Sequence, residues 1–253
     1  MAEDRTKFWI EGASGKLFVD RGGSGDLPVV MIHSLAGNTT QWQAQLEHLR
    51  KTRRAIAFDM RGHGQSEPAR NHDYSPEAMA QDVAAVVDSL QLKKFILIGH
   101  SYGGGVAAVY AGQQSDKVAG LLFVDPIGDA RKVPHEIIDP FIAALRSEAY
   151  PENIEAYWHS ILTYAGSSVV QAVIASLRQT PKEVVLGGLE SSFIFDPAAA
   201  LVPYRSETNY RFRPAGQPGG AASCHYGSPS RHDAEHESLA ANGSTRRVQS
   251  FDG

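Results

Sequence analysis

One short segment places a potential nucleophile between two glycines. It spans residues 99–103, Gly-His-Ser-Tyr-Gly, between an apolar run at 95–98 and a run of small residues at 104–113. A tight turn between a buried strand and a helix strains its central residue, and flanking glycines leave room for the chain to fold back. The hydroxyl of that residue would project over the sheet edge, above a helix N-terminus. The spacing therefore predicts Ser101 as an exposed nucleophile.

The elements that must position this turn follow from alternating apolar and helical patterns. Continuous apolar runs, typical of parallel strands buried on both faces, lie at 29–32, 55–58, 95–98 and 121–124. Helical patterns lie between them, at 40–50, 75–90 and 104–113. The order strand, helix, strand predicts an α/β fold with a mostly parallel central sheet and helices on both faces. A hairpin of 8–11 and 16–20 precedes it.

The second half of the chain changes character twice. Residues 134–192 show only helical periodicity, which predicts a helical cap insertion at 130–196 on a core of 1–129. Residues 206–253 contain no Ile, Met or Lys, and their only large aliphatic residues are Leu239 and Val248. We therefore expect the segment 197–253 to be atypical, a candidate for disorder, and residues after about 205 to add no buried strand or helix.

Composition excludes several classes of function. The 253 residues carry a net charge of −4, which gives no electrostatic footprint for nucleic acid, and the single Cys224 can form no internal disulfide. The N-terminal residues are charged from Glu3 onward and lead into no long apolar run. We expect no signal peptide, no membrane partner, no metal and no cofactor, and a cytoplasmic protein with a small-molecule substrate. Nothing in the sequence predicts the oligomeric state.

Together these segments resemble the α/β-hydrolase family over about residues 8–205. Residues 33–37, His-Ser-Leu-Ala-Gly, follow the third strand where the family has its oxyanion loop, although Ser34 stands where glycine is usual. The resemblance implies that the backbone N–H groups of Leu35 and Tyr102 form an oxyanion hole. It also assigns 59–66 to the structural turn after the fourth strand, with His63 as a loop histidine.

The type of nucleophile and the order of a catalytic triad decide the expected chemistry. Relatives that form alkyl esters carry Asp in the turn, so Ser101 favours acyl transfer. Asp125 follows a strand where some family members place the triad acid, but it could instead cap the start of the insertion. The family places its base near the C-terminus, where the candidates are His225, His232 and His236. The expected triad is Ser101, Asp125 and His236, although no candidate histidine has the family's neighbours, and each could be a solvated histidine.

The unusual C-terminal segment allows one further hypothesis, a displaced coding frame. The codons of residues 235–239, shifted by one base, can encode Asn-Thr-Ser-His-Trp, as expected around the family's histidine. The family's histidine codon would then straddle Ser238 and Leu239.

Three functions remain open from the sequence. The first is a serine hydrolase that cleaves a small ester, thioester or lactone, with Phe141, Tyr157 or Tyr164 in an apolar acyl pocket. The second is a catalytically impaired or non-catalytic protein of the same fold that binds a small ligand. The third is an enzyme similar to carbon–carbon bond hydrolases or cofactor-free haloperoxidases.

Overall fold

A seven-stranded sheet runs through the part of the chain that this computed structural model describes, which is residues 6–25, 27–205 and, for the backbone alone, 209–212. The strands are β1 (Thr6–Glu11), β2 (Lys16–Gly22), β3 (Val29–Ile32), β4 (Ala55–Phe58), β5 (Phe95–His100), β6 (Val118–Val124) and β7 (Asn209–Phe212). Their order is β1-β2-β4-β3-β5-β6-β7, with antiparallel pairing only at β1/β2 and β2/β4. The predicted hairpin and mostly parallel α/β sheet are confirmed.

Eight α-helices accompany the sheet in the described residues. They are α1 (Gln43–Leu49), α2 (Pro76–Ser89), α3 (Tyr102–Gln113), α4 (His135–Arg146), α5 (Tyr150–Ile161), α6 (Ser167–Gln179), α7 (Lys182–Ser192) and α8 (Pro197–Leu201). Helix α2 begins as its sequence predicts, because the Ser75 hydroxyl accepts a hydrogen bond from the Ala78 N–H and Pro76 needs no partner at the first position. None of the described helices is long and apolar enough to cross a membrane.

The core lies on both faces of the central strands. Every residue of β3 and β4 is buried, which explains why both strands are continuous apolar runs. One face packs against α1 through Trp42 and Leu46, and the other forms a larger cluster with α2 and α3. Residues of helices α4–α7, among them Leu145 and Trp158, join that larger cluster. Helices α4–α7 therefore pack on the core through shared apolar contacts.

The sequence after about residue 205 predicts no buried strand or helix, yet residues Asn209–Phe212 add a strand to the sheet. This segment forms β7 and pairs in parallel with β6, so that Leu121 lies opposite Asn209 and Val124 opposite Phe212. A strand at this position pairs backbone groups that β6 would otherwise leave at an open edge, and such pairing needs no aliphatic side chains. The alternating Asn-Tyr-Arg-Phe sequence also has aromatic residues of high strand propensity.

Candidate active site

Ser101 lies in the turn between β5 and α3 and has a strained backbone. Its φ of 50° and ψ of −119° fall in a region that residues other than glycine rarely occupy. Three backbone hydrogen bonds stabilise this strained conformation. The Ser101 N–H donates to the Val124 carbonyl (3.0 Å), and the Ser101 carbonyl accepts from the N–H groups of Gly104 (2.8 Å) and Ile127 (3.1 Å). A Cβ on Gly103 would lie 2.8 Å from the Ile32 carbonyl oxygen, so the turn requires glycine there. The predicted strand–turn–helix geometry is confirmed.

Ser101 opens into a cavity of about 430 Å³ between the sheet and helices α5–α7. Polar residues from the strand ends and their loops line one side: Ser34, Gln41, His100, Ser101 and Asp125. Largely apolar residues in or directly after helices α5–α7 line the other: Tyr157, Trp158, Ile161, Leu162, Val173, Leu189 and Phe193. Within the described residues, the Ser101 hydroxyl has no hydrogen-bond partner, so it is free to meet a ligand.

The three aromatic residues expected in the acyl pocket take different positions. Tyr157 lines the cavity, whereas Phe141 packs behind it with ring centroids 5.0 Å apart. The expectation is wrong for Tyr164, whose side chain is 93% exposed. Helix α5 ends at Ile161, and Tyr164 lies in the turn that follows. The helical spacing that would direct its side chain inward therefore no longer applies.

The loop after β3 carries an unpaired backbone donor into the same cavity. Leu35 and Tyr102 both line it, and neither N–H donates to another group among the described residues. The loop is held by a hydrogen bond from Gly37 N–H to the Ser34 carbonyl and by two bonds from Ser34 to the Gln41 side chain, at 3.3 and 3.1 Å. Ser34 thus fits where glycine was expected, because its hydroxyl donates to Gln41. Sequence analysis missed Gln41, for which no local pattern gives a signal.

Two buried histidines support this loop from below. The His33 Nδ1–H donates to the Ser34 carbonyl (2.7 Å), and Nε2 accepts from the Met60 N–H (3.0 Å), which fixes a neutral ring. The His63 Nδ1–H donates to the Arg61 carbonyl, and its ring centroid lies 5.1 Å from that of His33. Burial lowers the pKa of His33 to about 4 and that of His63 to about 3. Neither side chain lines the cavity.

We expect these histidines to make the fold sensitive to acid. An unfolded chain protonates each ring as the pH falls through 6.5, whereas the folded rings stay neutral to about pH 4 and 3. Their stability contribution is therefore complete above pH 6.5 and is lost as the pH falls towards 4. Burial raises the pKa of the neighbouring Asp59, which offsets part of the loss. From pH 7 to 5 the free energy of unfolding should fall by about 2 kcal/mol for each histidine.

Denaturant unfolding of His63→Asn at both pH values checks this expectation. Asparagine can keep the donor to the Arg61 carbonyl but does not titrate, so the variant should lose about half as much stability between pH 7 and 5 as the parent. Any packing penalty of the substitution is present at both pH values and cancels. Parallel pH curves for parent and variant would contradict the assignment.

Asp125 reaches the cavity from the end of β6. Its backbone φ is 42°, its side chain is exposed, and among the described residues its carboxylate accepts no hydrogen bond. The alternative role of capping the insertion is therefore not seen. His100 lines the cavity nearby; burial lowers its pKa, which the charge of Asp125 partly offsets.

Among the described histidines, only His100 lines the cavity. The three histidines that the sequence offers as the base, His225, His232 and His236, lie outside the described residues. The structure thus places Ser101, Asp125, Leu35 and Tyr102 around one cavity.

Comparison with known proteins gives consistent matches. Residues 28–156 match the model of the alpha/beta hydrolase fold family. A dihydrolipoyllysine-residue acetyltransferase component of the acetoin cleaving system from Pseudomonas putida is 31% identical, over 54% of this chain and 37% of that protein. The mouse sn-1-specific diacylglycerol lipase ABHD11 is 36% identical, over 52% of this chain and 43% of that protein. The chain thus spans less than half the length of these two curated relatives.

Solved structures agree over a larger share of the chain. A thermophilic esterase from Thermogutta terrifontis superposes with a TM-score of 0.67 at 25% identity, over 81% of this chain and 79% of that one. The superposed share of the chain is thus larger than the segment 28–156 that the family model matches.

Proposed function

The chain belongs to the α/β-hydrolase fold family, and from this premise we propose that it is a serine hydrolase that cleaves a small ester, thioester or lactone. The observation that supports the proposal is the strained Ser101. Its hydroxyl has no partner among the described residues and opens into a cavity that is also lined by Leu35 and Tyr102, whose N–H groups likewise have no described partner. A nucleophile beside preorganised donors is the arrangement that acyl transfer requires.

The proposed reaction has two steps that share one site. In the first, the Ser101 oxygen bonds to the carbonyl carbon of the substrate, its proton passes to a base, and the alcohol or thiol leaves with a proton. In the second, water attacks the acyl-enzyme, the acid is released and the Ser101 hydroxyl is restored. A lactone follows the same steps, except that its alcohol remains attached to the acyl group.

The backbone N–H groups of Leu35 and Tyr102 supply the proposed oxyanion hole. Both line the cavity and are free of other partners in the described part of the chain, so neither must break a bond to meet the developing negative charge. The N-terminus of α3 adds its dipole at the same place, since Tyr102 is the first residue of that helix.

We assign Asp125 as the triad acid and His236 as the base. Asp125 lines the same cavity as Ser101, and its carboxylate accepts no hydrogen bond from any described residue. Conversion of His236 to alanine should lower kcat at least 10³-fold, as for other triad members, whereas His225→Ala and His232→Ala should not. Hydrolysis of p-nitrophenyl butyrate by the three variants tests the assignment. Equal activity in all three variants would contradict the assignment of the base to His236. His100→Ala would then test whether His100, which lines the cavity, is the base.

The charge of the cavity narrows the substrate class. The described residues that line it include Asp125 and Asp129 but no lysine or arginine. Asp129 is paired with Arg131 at 2.8 Å, which leaves Asp125 as the uncompensated charge. The cap side of the cavity is mainly apolar, so we propose an uncharged acyl group of short to medium length as the preferred substrate part.

We expect this charge to discriminate between two acyl groups of equal carbon number. The kcat/KM for p-nitrophenyl butyrate should exceed that for p-nitrophenyl hydrogen succinate about tenfold, because the Asp125 carboxylate repels the substrate carboxylate. Raising the ionic strength should reduce the ratio. Equal rates, or faster turnover of the succinate, would contradict the proposed preference.

A second candidate function is ligand binding without turnover. It is favoured by one observation: apart from His100, no described histidine lines the cavity that holds Ser101. Without a base the serine hydroxyl is a weak nucleophile at neutral pH. A chain that binds butyramide, followed through Trp158 fluorescence, yet hydrolyses no ester and takes no phosphonate label would be such a protein.

A further inference from the structure

Cap helix α6 makes direct hydrogen bonds to the loop that carries the Leu35 donor. The Ser176 hydroxyl donates to the Ala36 carbonyl at 2.7 Å and accepts from the Asn38 side-chain amide at 3.1 Å. Ala36 has a φ of 57°, a conformation that needs support from its surroundings. The half-buried Ser176 thus bonds to both Ala36 and Asn38 of the loop. The Ala36 carbonyl that it holds belongs to the residue directly after Leu35.

Helix α7 contacts the side chains of both residues that carry the proposed oxyanion donors. Gly188 packs on the Leu35 side chain so closely that an added Cβ would lie 2.6 Å from Leu35 Cδ1. The Ser191 hydroxyl lies 2.9 Å from the Tyr102 phenol oxygen, which itself donates to the Tyr74 carbonyl at 2.6 Å. The Ser191 hydroxyl in turn donates to the Gly188 carbonyl of its own helix at 2.9 Å, so Ser191 lies between the Tyr102 phenol and Gly188.

We propose that α6 and α7 are part of the oxyanion machinery and set the position of both backbone donors, with Ser176, Gly188 and Ser191 as positioning residues. Helices α4 and α5 behave differently: α5 supplies apolar lining of the cavity, but neither helix makes a hydrogen bond to the loop in the described residues. Helices α6 and α7 therefore line the pocket, through Val173 and Leu189, and also contact the residues that carry the proposed donors, whereas α5 contributes lining alone.

The inference rests on the proposed function, and Ser176→Ala tests it. Loss of the hydroxyl should lower kcat for p-nitrophenyl butyrate about tenfold and leave KM within about twofold, because a displaced donor weakens transition-state binding but not the acyl pocket. Ser176→Thr keeps the hydroxyl and should restore most of kcat. Ser160→Ala is the matched control, since Ser160 lies on α5 and donates only to the Tyr157 carbonyl of its own helix.

Amide hydrogen exchange gives a second readout that needs no turnover. Exchange of the peptide covering 34–38 should accelerate about fivefold or more in Ser176→Ala, with no change in the central strands and none in Ser160→Ala. Gly188→Ala should act on the same peptide through Leu35. If the parent hydrolyses no ester, the proposed function fails while the exchange data still decide whether α6 and α7 hold the loop. Unchanged exchange at 34–38, or a raised KM with unchanged kcat, would overturn the inference.

Discussion

Alanine at position 101 is expected to remove ester hydrolysis, with kcat/KM for p-nitrophenyl butyrate falling at least about 10³-fold. The reason is specific to the geometry: the hydroxyl is the only group that the turn between β5 and α3 offers to a substrate carbonyl beside the Leu35 and Tyr102 donors. Binding and the oxyanion hole remain in the variant, so KM and butyramide affinity should change little.

Two controls make this result interpretable. Ser89→Ala removes an exposed hydroxyl at the end of α2, on a residue that does not line the cavity, and should leave kcat/KM unchanged. Matching circular dichroism and unfolding curves would show that Ser101→Ala is folded. Activity within about twofold of the parent would place the nucleophile elsewhere.

Asp82→Ala should have the largest effect on stability, a loss of about 3–5 kcal/mol in the free energy of unfolding. The side chains of Arg61 and Asp82 are each 1% exposed and form two hydrogen bonds of 2.7 Å. Arg61 also donates to the carbonyls of Asp73 and Ala78. Removal of the carboxylate leaves a buried guanidinium without its counter-charge, which is far more unfavourable than the loss of an exposed pair.

Denaturant unfolding measures this loss, with Asp88→Ala as the matched control on the same helix. Asp88 pairs with Lys117 at 3.0 Å, but its side chain is 69% exposed, so its removal should cost less than about 1 kcal/mol. Similar losses in the two variants would contradict the argument. The pair also matters for the site, since the turn at Arg61 adjoins Met60, whose N–H bonds to His33 beneath the oxyanion loop.

Local patterns predicted the framework of the site because they report local physics. Continuous apolar runs marked the buried strands, and glycines around Ser101 marked the strained turn, since both depend on near neighbours in sequence. Strand β7 was missed because its formation depends on the free edge of β6, far away in sequence. Gln41 and Ser176 were missed for the same reason: each becomes important only through a tertiary contact.

The proposed base is the part of the site that rests on sequence alone. If the displaced coding frame accounts for the unusual segment, the family's histidine is absent from this chain. The codons of residues 235–239, shifted by one base, would then encode Asn-Thr-Ser-His-Trp. Sequencing the coding DNA separates the two explanations: an incompatible set of codons would exclude the displaced frame and leave His236 as the candidate.

The most direct test of the account is covalent labelling of the intact chain with a fluorophosphonate, followed by peptide mass mapping. The Ser101 oxygen should displace fluoride and form one oxygen–phosphorus bond, because labelling needs an activated hydroxyl beside oxyanion donors. We predict one adduct per chain, located at Ser101, reduced by butyramide and absent from Ser101→Ala. A folded chain that takes no label, or that is labelled at another residue, would contradict the assignment of Ser101 as the nucleophile.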